Sequence, residues 1–125
     1  SRKAAQLGFE VTAVLSDDVN EAVRVASLAD VAIVVAGTTS GESRDRESLN
    51  LDGDANRLID AVARVRRTVV LAEASGAVLL PWRSAVDGIL LLFLGGQETG
   101  HAWADVLFGD VAPEGRLPLM IPESE

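Results

Sequence analysis

The feature that most constrains this chain is a run of six residues, Val31-Ala-Ile-Val-Val-Ala36, without one polar side chain. It is short, and it is dominated by β-branched residues. A run of that kind reads as a strand covered on both faces, the environment found inside a parallel sheet. Thr68 to Ala72 and Gly88 to Phe93 have the same character and are predicted as two more buried strands. Parallel strands need crossover connections, usually helices. The chain supplies them. Asp17 and Asp18 can cap a helix in which Val19, Ala22, Val23 and Ala26 recur at helical spacing, and Glu21 stands three residues after Asp18 as in a capping box. Asp54 can cap another, with Leu58, Ile59, Val62 and Val65 on one face. Thr99 to Leu107 is a third, with Ala102, Trp103, Val106 and Leu107 on its apolar face and Gly109 to end it.

Glu10 to Leu15 alternates apolar and polar residues and is predicted as a further strand. Val111 to Pro122 contains three prolines and cannot be helical, so Arg116 to Ile121 is expected as an extended surface segment or an antiparallel edge strand. The expected fold class is α/β: a three-layer sandwich with a mostly parallel sheet flanked by helices. A length of 125 residues suits a single domain. No internal repeat is visible. The chain opens on Ser1 rather than Met, and its start is expected to be a processing or truncation point, with no signal peptide in view.

The formal charge of −8 argues against nucleic acid and anionic membrane surfaces as partners, since both attract a positive field. No apolar run approaches the ~18 residues of a membrane span. A neutral ligand such as a sugar is compatible with the charge. With no cysteine and one histidine, disulfides and thiolate chemistry are excluded. A zinc site would rest on carboxylates, so no metal and no cofactor are expected. Cysteine usage leaves the compartment open.

Open parallel sheets place their working loops beyond the carboxyl ends of the strands. Three loops qualify: Gly37 to Asn50, Glu73 to Ala77 and Leu94 to Glu98. The first is long for so small a domain and crowded with charge. Within it Glu42 lies between Gly41 and Ser43, where the backbone is mobile or sharply turned. A carboxyl group held there can reach outward to a ligand. A general acid needs a pKa near the working pH, which burial under a partner can supply. The alternative is an ordinary solvated loop. Asp45 and Arg46 either brace the loop, by pairing with each other or with neighbours, or touch the ligand. No Gly-x-x-x-x-Gly-Lys-Ser/Thr, no Gly-x-Gly-x-x-Gly and no Gly-x-Ser-x-Gly is present, which weakens nucleotide and serine-hydrolase readings. Trp82 and Trp103 are expected to pack, Glu98 to cap a helix, and His101 to be structural.

Three segments resemble the C-terminal α/β sandwich domain of family 3 glycoside hydrolases, a family that includes β-glucosidases and β-xylosidases. They are Ala29-Asp-Val-Ala-Ile-Val-Val-Ala-Gly37 with Ser40-Gly-Glu-Ser-Arg-Asp-Arg-Glu-Ser-Leu-Asn-Leu51; Ser75-Gly-Ala-Val-Leu-Leu-Pro-Trp82; and Gly95-Gly-Gln-Glu-Thr-Gly100 with Ala104-Asp-Val-Leu-Phe-Gly-Asp110 and Pro113-Glu-Gly-Arg-Leu-Pro118. The resemblance implies a retaining β-glycosidase in which a separate N-terminal barrel supplies an aspartate nucleophile. By it Glu42, in its Ser-Gly-Glu-x-x-Asp-Arg context, matches the acid/base glutamate, and the substrate is a β-glycoside. It also implies that the first strand and helix of the domain are missing or shortened here and that the chain alone is inactive. Two other readings stand beside it: a non-catalytic sugar- or protein-binding module, and, on fold analogy alone, a nucleotide-binding doubly wound domain.

Overall fold

The three apolar runs form three parallel strands in a computed structural model that describes residues 2–125. In chain order the elements are α1 (Arg2–Gln6), α2 (Val19–Ala26), β1 (Ala32–Gly37), α3 (Ala55–Ala63), β2 (Thr68–Glu73), β3 (Gly88–Leu92), a 3₁₀ turn (Gly96–Glu98) and α4 (Thr99–Leu107). The sheet order is β1-β2-β3, parallel throughout. Ala32 stands opposite Thr68 and Gly37 opposite Glu73, while Val69 to Glu73 pair with Gly88 to Leu92. This is an α/β arrangement of a parallel sheet with helices.

The register puts Val34 and Ala36, Val70, and Ile89 and Leu91 on one face. That face packs on the core cluster of Leu51, Ile59, Val70, Ala74, Val78, Leu80 and Trp82. Ile59 from α3 and Val70 from the middle strand are fully buried. Each such side chain contributes about 1.5–3 kcal/mol of burial free energy. Much of this core lies in the segments that follow β1 and β2, so it forms directly beneath the loops at the carboxyl ends.

The other face is less complete. Ile33 and Val35 are 48% and 64% exposed, so β1 is covered on one face only. The expectation of a strand buried on both sides fails here because β1 is the outer strand of a three-stranded sheet. Glu10 to Leu15 forms no strand. Val11 and Leu15 are exposed, and a β pattern takes up ladder geometry only beside a free edge that accepts it. Arg116 to Ile121 forms no strand either, so the antiparallel edge strand is absent. Pro113, Pro118 and Pro122 each lack the N–H that a ladder requires.

Helix ends follow local chemistry. The Asp18 carboxylate accepts from the Asn20 and Glu21 N–H groups at 2.8 and 3.1 Å, satisfying two orphan donors of α2. Asp54 precedes α3 but makes no cap bond; its carboxylate lies 4.0 Å from Arg57 instead. Gly109 follows α4 at φ +77°, and its N–H and that of Asp110 donate to the Val106 and Asp105 carbonyls at 3.2 and 2.8 Å. That pair of bonds is a Schellman motif, which a glycine closes without Cβ strain.

The amino-end side of the sheet is tied by polar bonds. Asp87 accepts from the Thr68 N–H at 2.8 Å and from Arg67 at 3.3 Å. The Thr68 bond first, and Arg67 after it, hold the Asp87 carboxyl below its usual pKa. Arg66 donates to the Ala26 and Ser27 carbonyls and so fixes the end of α2 against the entry to β2. No helix among the described residues is long and apolar enough to cross a membrane.

Candidate functional site

The site is built where β1 and β2 end side by side. A Cβ placed on Gly37 would stand 2.7 Å from the Glu73 carbonyl oxygen, so the strands approach as only glycine permits. The Thr38 N–H donates to that same oxygen at 3.0 Å. The loop returns to its starting point: the Asp52 N–H donates to the Gly37 carbonyl at 3.0 Å, and the Asp52 carboxylate accepts from the Thr39 N–H at 2.6 Å. These two bonds close a neck from which residues 40–51 project.

The outgoing limb ends in a tight turn. Gly41 and Arg44 form an isolated bridge, with the Arg44 N–H donating to the Gly41 carbonyl at 3.3 Å. Glu42 and Ser43 are the central residues, and Ser43 has φ +61°. A positive φ at the second central position alone is the signature of a type II turn, where glycine or asparagine is usual. Glu42 is therefore carried on a turn tip. Its side chain is exposed and makes no hydrogen bond or ion pair with the described residues.

The returning limb is held from several sides. Arg46 is half-buried and donates through Nη2 to the Ala77 carbonyl at 2.7 Å, joining the loop after β1 to the loop after β2. Its other terminal nitrogen, Nη1, is buried without a partner among the described residues. The Leu79 N–H donates to the Leu49 carbonyl at 2.8 Å. Between the limbs lies a polar concavity of about 460 Å³, lined by residues that include Thr39, Gly41, Arg44, Asp45, Arg46 and Asp52.

Of the residues singled out in the sequence, Asp45 and Arg46 line this concavity and do not pair with each other. Glu42 stands beyond it, between Gly41 and Arg44, which do line it. The Leu94 to Glu98 loop makes no hydrogen bond to the Glu42 loop among the described residues; Glu98 gives α4 no cap bond, and its carboxylate lies 2.7 Å from His101 Nδ1. Trp82 is buried, as expected for a packing residue. Asp52, Asn50, Asn56 and Glu125 were not apparent from sequence as parts of the site. Asp52 carried one usable signal, an Asp-Gly pair where a loop meets a helix. Glu125 lies 77 positions from Ser48, and no local pattern links them.

Chemically, the loop offers three exposed carboxyl groups, those of Glu42, Asp45 and Glu47, at or beside a polar hollow. That arrangement suits proton exchange with a group brought from outside. No cluster of three or more metal-ligating side chains exists among the described residues.

Comparison with known proteins gives a consistent result. Residues 2–125 match the family described as the glycosyl hydrolase family 3 C-terminal domain. The chain is 43% identical over 108 residues to the thermostable beta-glucosidase B of Acetivibrio thermocellus, covering 83% of this chain and 14% of that protein. In structure it is similar to a beta-glucosidase from Chaetomella raphigera, with TM-score 0.91 and 30% identity, covering 97% of this chain and 19% of the other. A beta-glucosidase from Kluyveromyces marxianus, solved in complex with glucose, gives TM-score 0.81 at 32% identity over 91% of this chain and 14% of its own. The chain thus spans roughly a seventh of the curated relative it matches.

Proposed function

This chain belongs to the glycosyl hydrolase family 3 C-terminal domain family, and from that membership we propose that it supplies the acid/base carboxylate, Glu42, of a retaining β-glycosidase. The substrates are terminal β-D-glucosides or similar β-glycosides. The observation that carries the reading is the placement of Glu42: exposed at a turn tip beyond the carboxyl end of β1, with no hydrogen bond or ion pair among the described residues to satisfy it. A carboxyl group committed to an internal bond would have to break it before reaching a substrate.

In this mechanism Glu42 protonates the glycosidic oxygen as the leaving group departs. An aspartate on a partner barrel attacks the anomeric carbon and forms a glycosyl-enzyme ester. Glu42, now a carboxylate, removes a proton from the water that hydrolyses the ester. The two carboxyl groups must come to within about 5–5.5 Å. This chain holds one of them, so the substrate cleft lies between it and the barrel. Asp45 and Arg46 line the adjoining hollow, where they contact substrate or set the loop that does so. The proposed chemistry needs no cofactor.

The test uses this chain joined to a barrel of the family, and the 125-residue chain alone. Glu42→Ala is expected to slow glycosides with poor leaving groups by ~10²–10⁴-fold, the usual worth of general acid–base catalysis. Activated aryl glycosides should lose far less in the glycosylation step, because their leaving groups depart without a proton. Equal losses on both classes would move the acid/base role elsewhere. Substantial turnover by the 125-residue chain alone would overturn the two-domain mechanism.

A further inference from the structure

One path of hydrogen bonds runs from the core to the surface beneath the Glu42 loop. The buried Trp82 indole N–H donates to Asn56 Oδ1 on α3 at 2.8 Å. Asn56 Nδ2 donates to Asn50 Oδ1 at 2.9 Å, and Asn50 Nδ2 donates to Ser48 Oγ at 2.7 Å. The Ser48 hydroxyl donates to the Glu125 carboxylate at 2.9 Å, and the Leu49 N–H donates to the same oxygen. The direction of this path is dictated at both ends. An indole nitrogen can only donate, and an ionised carboxylate can only accept. Asn56 must therefore turn its oxygen to Trp82, Asn50 its oxygen to Asn56, and Ser48 its proton to Glu125.

We propose that this one-way chain, from Trp82 to Glu125, sets the register of the loop that presents Glu42, with Glu125 as its positioning residue. A row of bonds that all point the same way polarises along its length, and an anion at the acceptor end strengthens each member. The chain grips Ser48, Leu49 and Asn50 in succession. Leu49 is held on both sides, by Glu125 at its N–H and by Leu79 at its carbonyl. The segment bearing Glu125 is itself anchored: Ile121 packs on the core, and Glu123 pairs with Arg83. The Leu49 N–H first, and the Ser48 hydroxyl after it, hold the Glu125 carboxyl below its usual pKa, so the acceptor end stays ionised at neutral pH. The catalytic part of this inference rests on the acid/base reading of Glu42; the network itself does not.

The experiment has two arms. In the 125-residue chain, NMR follows the Trp82 indole N–H and the exchange rate of the Leu49 amide. Glu125→Ala should shift the Trp82 resonance through four intervening hydrogen bonds and speed Leu49 exchange by roughly threefold or more. Asn50→Ala cuts the path midway, and the two substitutions together should be non-additive. Additive effects, or an unmoved Trp82 resonance in Glu125→Ala, overturn the network. In the barrel-joined protein, Glu125→Ala should lower kcat for poor leaving groups while sparing activated glycosides and KM. Glu125→Gln, which keeps an acceptor oxygen, should restore part of the loss. Equal loss on both glycoside classes overturns the positioning role. If Glu42→Ala itself fails to separate the two classes, the acid/base reading falls, and the NMR arm still decides the network.

Discussion

The two limbs of the loop after β1 are built on opposite plans. Among the described residues the tip, Gly41 to Arg44, is held only by its own turn, with Ser43 in the left-handed region and Glu42 exposed. The returning limb, Arg46 to Asp52, is bonded to Ala77, Leu79, Asn56, Glu125 and the neck at Gly37 and Thr39. Below it lies the buried cluster around Ile59, Val70 and Trp82. On the acid/base reading proposed above, the contrast is one way for a small domain to offer a proton donor to a neighbour. Rigidity lies in the base, and Glu42, which the proposed mechanism brings to a partner barrel, makes no hydrogen bond or ion pair among the described residues.

The contrast is broken most severely from below. Trp82→Ala removes the largest side chain of the core cluster and leaves Asn56 Oδ1 without its donor. It is expected to cost about 3–5 kcal/mol in urea-induced unfolding. A loss under about 1 kcal/mol would show that the base does not rest on Trp82. Gly37→Ala is expected to cost about 1–3 kcal/mol, because the new methyl group meets the Glu73 backbone oxygen and must spread β1 from β2. A neutral result would mean that the neck is looser than its geometry indicates.

At the tip the effects are smaller. Ser43→Val places a β-branched residue at φ +61° and is expected to cost about 1–2 kcal/mol, while Ser43→Gly should stay within about 0.5 kcal/mol of the parent. Equal costs for the two would remove the turn geometry from the account. The smallest effect is a pH dependence. Asp87 and Glu125 both have pKa values lowered by folding, Asp87 chiefly through the Thr68 N–H and Glu125 chiefly through the Leu49 N–H. A lowered folded-state pKa stabilises the fold above the unfolded-state value, and that contribution is lost as pH falls through the folded value. Stability should therefore be steady above about pH 5 and erode below it. Asp87→Asn and Glu125→Gln should each flatten that acid slope.

The strands and helices were legible where one signal dominates. The apolar runs became β1, β2 and β3, and Thr99 to Leu107 became α4 with those bounds. Asp18 capped α2 with its carboxylate, though its own N–H donates to Ser16 and not to Glu21, and Gly109 closed α4. The misreadings share a cause: composition reports what a segment could do, and partners decide what it does. Glu10 to Leu15 alternates like a strand but pairs with none of the three strands. Val31 to Ala36 is apolar enough for a central strand but stands at an edge. At the site, the loop was visible because charge and glycine follow an apolar run abruptly, and Glu42 was singled out within it chiefly by resemblance to the family motif. Asp52, Asn50, Asn56 and Glu125 were not, since their roles depend on contacts that the fold brings together across up to 77 residues.

The central claim is that Glu42 exchanges the proton in a retaining displacement. Azide addition to the Glu42→Ala form of the barrel-joined protein tests it most directly, with an activated aryl β-glucoside as substrate. Azide is a nucleophile that needs no base to activate it, so it can resolve a stalled glycosyl-enzyme ester in place of water. The account predicts that turnover recovers and that the product is the β-glycosyl azide. No recovery, or a product of α configuration, would contradict it.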